Sequence, residues 1–192
     1  MELLDLKIDI KDKRDVVLKE MTGLNPDEDR ILEVACLVTN KNLEIISDEF
    51  NVVINQPKSI LDNMSPWCIE QHSKSGLINE SLRSTVTISE AEEKLLKFIQ
   101  NKTPQGECPL AGNSVYMDKF FLIKHMNRVA NHLHYRIIDV SSFFEVVRRW
   151  YPHLKLFKKS GLHRALPDIK DSILQLKYYR KKILKPVDGV RR

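Results

Sequence analysis

The run Ile31-Leu32-Glu33-Val34-Ala35-Cys36-Leu37-Val38 is apolar at every position but one. It has no polar face to turn to water, so it reads as a strand buried on both sides. Two shorter strand-like stretches flank it, Asp15-Val16-Val17-Leu18 before and Asn51-Val52-Val53-Ile54 after. Between the first two, Gly23-Leu24-Asn25-Pro26-Asp27-Glu28-Asp29 carries the turn-forming residues of a hairpin connector. The chain therefore opens as a β-meander whose central strand needs cover on both faces.

That cover is legible further on. Ser89-Glu90-Ala91-Glu92 has the spacing of a capping box, and Ala91, Leu95, Phe98 and Ile99 then recur at helical spacing. Cys108-Pro109-Leu110-Ala111-Gly112 reads as a short strand ending in a tight turn, with a helix through Phe120, Leu122, Ile123 and Met126 behind it. Ile137-Ile138 forms another strand, with Ser141 or Ser142 as the cap of a helix holding Phe144, Val147 and Trp150. Leu166, Ile169, Ile173 and Leu176 mark a terminal helix, which tolerates Pro167 in its first turn. Strands first, then strand and helix in alternation, predict an α/β fold with a mixed central sheet flanked by helices.

At 192 residues and 42% hydrophobic content, with no repeat, the chain is expected to form one domain over 1–192. Its net charge of +5 is concentrated at residues 177–192, where Lys177, Arg180, Lys181, Lys182, Lys185, Arg191 and Arg192 face only Asp188. The excess is a basic tail, either a solvated helix end or a nucleic-acid contact. Cys36, Cys68 and Cys108 are odd in number and widely spaced, which argues against a disulfide framework or zinc site and for a reducing cytosolic or nuclear setting. No apolar run reaches spanning length, so no membrane partner is expected. Residues 1–15 hold too many acids for a transit peptide.

Glu20, Asp118, His163 and Asp168 stand at predicted element ends, where three acids and a histidine could meet. Taken singly, each has a bland reading as a helix cap or surface group. Their contexts are more specific: Glu20-Met21-Thr22-Gly23-Leu24, then Leu110-Ala111-Gly112-Asn113-Ser114 reaching Asp118, then His134-Tyr135-Arg136-Ile137-Ile138-Asp139-Val140-Ser141, Arg148-Arg149-Trp150, and His163-Arg164-Ala165-Leu166-Pro167-Asp168. In this order and over about residues 14–184, they resemble the oligoribonuclease family, DEDDh-class 3′–5′ exoribonucleases, and its animal small-RNA members most.

The resemblance implies a ribonuclease H-like fold and a homodimer that removes nucleotides from the 3′ end of very short RNAs, dinucleotides especially. It implies two Mg²⁺ or Mn²⁺ ions, a pairing that stabilises both the attacking and the leaving oxygen. Glu20, Asp118 and Asp168 match metal ligands, and His163 matches the general base. Leu24 matches a wedge between the two bases, and Trp67 with His72 a wall for the 3′ nucleotide. Ser114, with Arg136, Ser141 and Ser142 from the partner subunit, matches a cap over the 5′ phosphate. Tyr135 matches a tyrosine delivered across the dimer interface into the active site.

One departure is severe. The family's first aspartate, two residues before Glu20, is replaced by Leu18, which offers no lone pair where both metals are bridged. Asp15 cannot substitute, being on the opposite strand face and about 16 Å from Glu20 at strand rise. Pro167 in place of an aspartate, and Tyr116-Met117 before Asp118, are lesser departures that remove no ligand. Three readings follow: a catalytically impaired protein that still binds short RNA, an active exoribonuclease, and a structural interaction protein using its dimer surface and basic tail.

Overall fold

The computed structural model describes residues 15, 16 and 20–184. Leu18, and the tail beyond Leu184 with Lys185, Asp188, Arg191 and Arg192, lie outside the described residues. Six short strands, β1 (Asp15–Val16), β2 (Glu33–Cys36), β3 (Val38–Thr39), β4 (Phe50–Val53), β5 (Leu110–Gly112) and β6 (Ile137–Asp139), alternate with eight helices. These are α1 (Lys58–Asp62), α2 (Pro66–Lys74), α3 (Leu77–Arg83), α4 (Ile88–Gln100), α5 (Val115–His125), α6 (Asn127–His132), α7 (Val140–Trp150) and α8 (Ala165–Lys182).

The sheet is mixed, as the sequence predicts. β1 runs antiparallel to β3 and parallel to β5, and β6 extends the parallel part in the order β3-β1-β5-β6. The long apolar run becomes two strands rather than one because its partner changes. Cys36 pairs with Phe50 of β4 on one edge, and Val38 pairs with Val16 of β1 on the other, so Leu37 is the crossover between two ladders.

Burial on both faces is borne out residue by residue. Val34, Cys36 and Val38 face a core with Ala91, Leu95 and Ile99 of α4 and Phe121 and Leu122 of α5, while Ala35 and Leu37 face Ala165, Ile169 and Ile173 of α8. Leu110 and Ala111 of β5 divide between the same two cores. This period-two alternation makes the sheet the middle layer between α4–α6 and α8.

Some boundaries move. The capping box of α4 is Thr87 with Glu90, not Ser89 with Glu92: Thr87 Oγ1 accepts from Glu90 N–H (3.2 Å), and the Glu90 carboxylate accepts from Thr87 N–H (2.8 Å). The same S/T-x-x-E spacing occurs two residues earlier, and Thr87 is the residue with extended backbone. Likewise α7 is capped by Asp139, which accepts from Ser141 N–H (2.8 Å), instead of by either serine. Phe120 and Ile123 of α5 point outward and Phe121 inward. Helices α1–α3, which the residue patterns do not announce, pack Leu61, Met64, Cys68 and Leu77 beneath Leu32.

Candidate active site

A cavity of about 770 Å³ opens beside the sheet, lined among others by Glu20, Leu24, Trp67, His72, His163 and Asp168. Six candidate residues separated by up to 148 positions of chain thus share one wall, and each is delivered by a recognisable local device.

Leu24 stands on the 23–29 turn, which is bound from within and from below. Thr22 Oγ1 donates to Asp29 (2.7 Å), and Asn25 N–H donates to the other oxygen of the same carboxylate (2.9 Å). That carboxylate occupies the space a Cβ on residue 23 would need, so any larger residue there would displace Asp29 from these hydrogen bonds. From the end of α5, Lys124 pairs with Asp27 (2.7 Å), and His125 Nε2 donates to Pro26 O (2.9 Å). The Leu24 side chain is left 72% exposed at the cavity.

Trp67 and His72 come from α2, whose first turn is set by Pro66 and by the Ser65 side chain accepting from Cys68 N–H. Trp67 is 58% exposed and meets the edge of the His163 ring at 5.6 Å between centroids. His72 is buried, its Nε2 donating to Met21 O (3.0 Å) and its Nδ1 without a hydrogen-bond partner. Burial pushes its pKa below the usual histidine range.

His163 and Asp168 flank the start of α8, which is fixed by an ionic cluster. Arg164 bridges Glu33 of β2 and Glu80 of α3 (2.8 Å each), and Glu33 also accepts from Ala165 N–H (3.0 Å) and Asn51 Nδ2 (3.0 Å). The two carboxylates hold the Arg164 guanidinium protonated even more firmly than usual. Glu33, the one charge in the apolar run, was the signal in the sequence that a buried partner had to exist. Nothing in the motif around Arg164 marks it in the sequence as that partner.

Of the four described non-glycine residues with positive φ, two, Glu20 (138°) and His163 (49°), line this cavity. At Glu20 the ladder to the long strand is irregular, its carbonyl accepting from both Leu32 and Glu33 N–H (3.0 and 3.3 Å). Such conformations are retained where the surroundings over-determine them, commonly at functional sites.

The other candidates lie outside this cavity. Asp118, buried on the inward face of α5, borders a small hollow behind Glu20. Ser114 and Ser141 meet within a single chain, Ser141 Oγ accepting from Ser114 N–H (2.9 Å). The pair connects to the cavity through Asn113 and Ser172. Ser141 Oγ donates to Asn113 Oδ1 (3.3 Å), Asn113 Nδ2 donates to Ser172 Oγ (2.8 Å), and Ser172 Oγ donates to Asp168 O (2.8 Å). Tyr135 and Arg136 project outward with the guanidinium over the phenol ring (5.3 Å), and Ser142 borders an apolar groove between α7 and α8.

Among the described residues no three His, Cys, Asp or Glu side chains are grouped so as to hold a metal ion, and the side chain two residues before Glu20 in the sequence is a leucine's, which has no oxygen. Hard divalent cations need several oxygen ligands within little more than 2 Å. Cys36, Cys68 and Cys108 are all buried, and among the described residues no helix is long and apolar enough to cross a membrane.

Comparison with known proteins agrees with the motifs. Residues 19–176 match the RNase_T family model, described as exonuclease. The match begins one residue after Leu18 and is narrower than the 14–184 span the motifs suggest. Over 168 residues the chain is 52% identical to the mitochondrial oligoribonuclease of Mus musculus, covering 86% of this chain and 71% of that protein. It is 48% identical to a probable oligoribonuclease of Dictyostelium discoideum (86% and 87% covered) and 44% to the oligoribonuclease of Chromobacterium violaceum (86% and 92%). Among solved structures it resembles the zinc-bound Escherichia coli ExoI–ssDNA complex, with a TM-score of 0.71 at 12% identity. Exonuclease I of Methylocaldum szegediense gives 0.67 at 15%. The chain spans only 41% of the length of these two, and the likeness is one of fold. With most of its length matched by the exonuclease model and by relatives this similar, the chain belongs to the RNase_T exonuclease family, in its oligoribonuclease group.

Proposed function

We propose that this protein binds very short oligoribonucleotides, dinucleotides above all, and that Leu18 impairs its two-metal hydrolysis. The observation that carries the reading is the shared cavity of Leu24, Trp67, His72, Glu20, His163 and Asp168, set against a leucine two residues before Glu20. Its volume is typical of sites that enclose small ligands. An exposed indole offers a base a stacking face worth about 1–3 kcal/mol, and the exposed Leu24 of the same cavity serves as a wedge. The His72 Nδ1 lone pair is a buried acceptor in search of a donor, such as a ribose hydroxyl.

In this reading Glu20, Asp118 and Asp168 are what remains of the Mg²⁺ or Mn²⁺ ligand set, and His163 of the general base. Ser114, Ser141 and Ser142 belong to the phosphate cap. Tyr135 and Arg136, exposed in one subunit, act on the partner's cavity in a homodimer inside the cell. The fold works as one exonuclease-like unit with an appended basic tail. A second reading, an active 3′–5′ exoribonuclease, is favoured by Glu20, His163 and Asp168 still sharing the cavity.

The two separate on a 5′-labelled RNA dinucleotide incubated with Mg²⁺ or Mn²⁺. Under the first, the native protein binds without turnover and Leu18→Asp gains activity by about a thousandfold, the scale of several kcal/mol of transition-state stabilisation. Turnover by the native protein that Asp118→Ala abolishes establishes the second.

A further inference from the structure

The segment between α7 and α8 approaches the cavity. Lys159, Gly161 and His163 all line it, while Ser160 turns away and is pinned to Asp171 of α8 through its N–H (2.5 Å) and its hydroxyl (2.7 Å). The approach is not that of a regular strand, since Gly161 (φ 69°) and His163 (φ 49°) both have left-handed backbone, yet Lys159, four residues before His163, borders the same cavity. Leu162, which is not among the lining residues, is exposed.

The charge around this wall sets a problem for any RNA. Glu20, Asp29 and Asp168 bring carboxylates to the cavity, and a phosphodiester adds a further negative charge. Among the described lining residues, Lys159 alone is cationic throughout the physiological range; the other basic groups are the imidazoles of His72 and His163. Where one ligand of the metal set is replaced by leucine, a lysine at the cavity is a cationic group that can meet the phosphate. A lysine on a flexible stem suits that as a point charge and does not demand planar geometry.

We infer that Lys159 is a substrate-binding residue that contacts the phosphodiester of the bound dinucleotide and so supports binding without any divalent ion. The inference rests on the short-RNA reading of this cavity.

The test is a binding titration of a 5′-labelled RNA dinucleotide in EDTA, at low and raised salt, with the native protein, Lys159→Gln, Lys159→Arg and Trp67→Ala. A parallel series uses a dinucleotide with a neutral methylphosphonate linkage. Lys159→Gln is expected to bind about tenfold more weakly and with less salt sensitivity, and Lys159→Arg to recover most of the loss. With the neutral linkage, the native protein and Lys159→Gln should bind alike. If Lys159→Gln binds like the native protein while Trp67→Ala is weakened, the inference is overturned and the short-RNA reading stands. Equal weakening of Lys159→Gln on both linkages also overturns it, because the ammonium then meets another group. No binding by the native protein overturns both.

Discussion

At the residue scale, the described geometry turns on polar groups that are paired against their surroundings. Arg164 spends its fork on two carboxylates, and through Ala165 N–H the same Glu33 fixes where α8 begins, with His163 immediately before it and Asp168 one turn in. His72 is the complementary case, a buried imidazole with one nitrogen engaged and one not. Its folded pKa is depressed below the ordinary 6.5, chiefly by desolvation. The unfolded chain therefore binds the proton more readily, and this group's contribution to stability is present above that value and lost as pH falls below it. His125, depressed by the same cause, acts in the same direction. Urea unfolding at pH 7.5 and pH 5.5 should show His72→Gln, which keeps a donor for Met21 O, losing less stability on acidification than the native protein. An unchanged pH dependence would refute neutral burial of His72. The sequence marked His72 and Trp67 only through the family motif, since nothing in residue type announces that a histidine will be dry or that a tryptophan at a helix start will be left exposed.

Elements were legible where periodicity was strong and ambiguous where end chemistry repeated. The strand from Ile31 to Val38 was read from composition alone, but its division at Leu37 was not, because a change of partner leaves no mark in a uniformly apolar run. The amphipathic face of α4 was clear, yet two hydroxyl residues, Thr87 and Ser89, each lie three residues before a glutamate. The observed capping box settles the start on Thr87. Thr87→Ala should cost about 1 kcal/mol in urea-derived stability, the usual worth of a lost N-cap. Ser89→Ala, inside the first turn, should stay within about 0.5 kcal/mol of the native protein. A larger effect at Ser89 would place the helix start where the sequence first suggested. Helices α1–α3 went unread because they are short; they hold their places by packing under Leu32 more than by propensity.

At the scale of the whole molecule, the unresolved partition is between what one subunit supplies and what a second must bring. The 770 Å³ cavity collects residues from the opening turn, α2 and the start of α8, but Tyr135 is 73% exposed and directed outward. The sequence could name Tyr135 and Arg136 as site residues through their motif, and it could not say that the chain alone leaves them outside, since that depends on three-dimensional placement. Beside them runs an apolar stripe on α5, Tyr116, Phe120 and Ile123, each about half exposed and spaced to share one helix face. Lys119, on the same face, donates to His134 O, which ties the stripe to the segment that carries Tyr135 and Arg136. A patch of this kind, contiguous with the side chains that the proposed function assigns to the partner's cavity, is what a twofold interface would cover. Sedimentation equilibrium is expected to give a dimer for the native protein and a monomer for Phe120→Glu combined with Ile123→Glu. The same double variant should bind the dinucleotide more weakly, because Tyr135 and Arg136 then have no partner cavity to enter. A native protein that sediments as a monomer and binds the dinucleotide at full strength would show that the site is complete within one chain and that Tyr135 serves elsewhere.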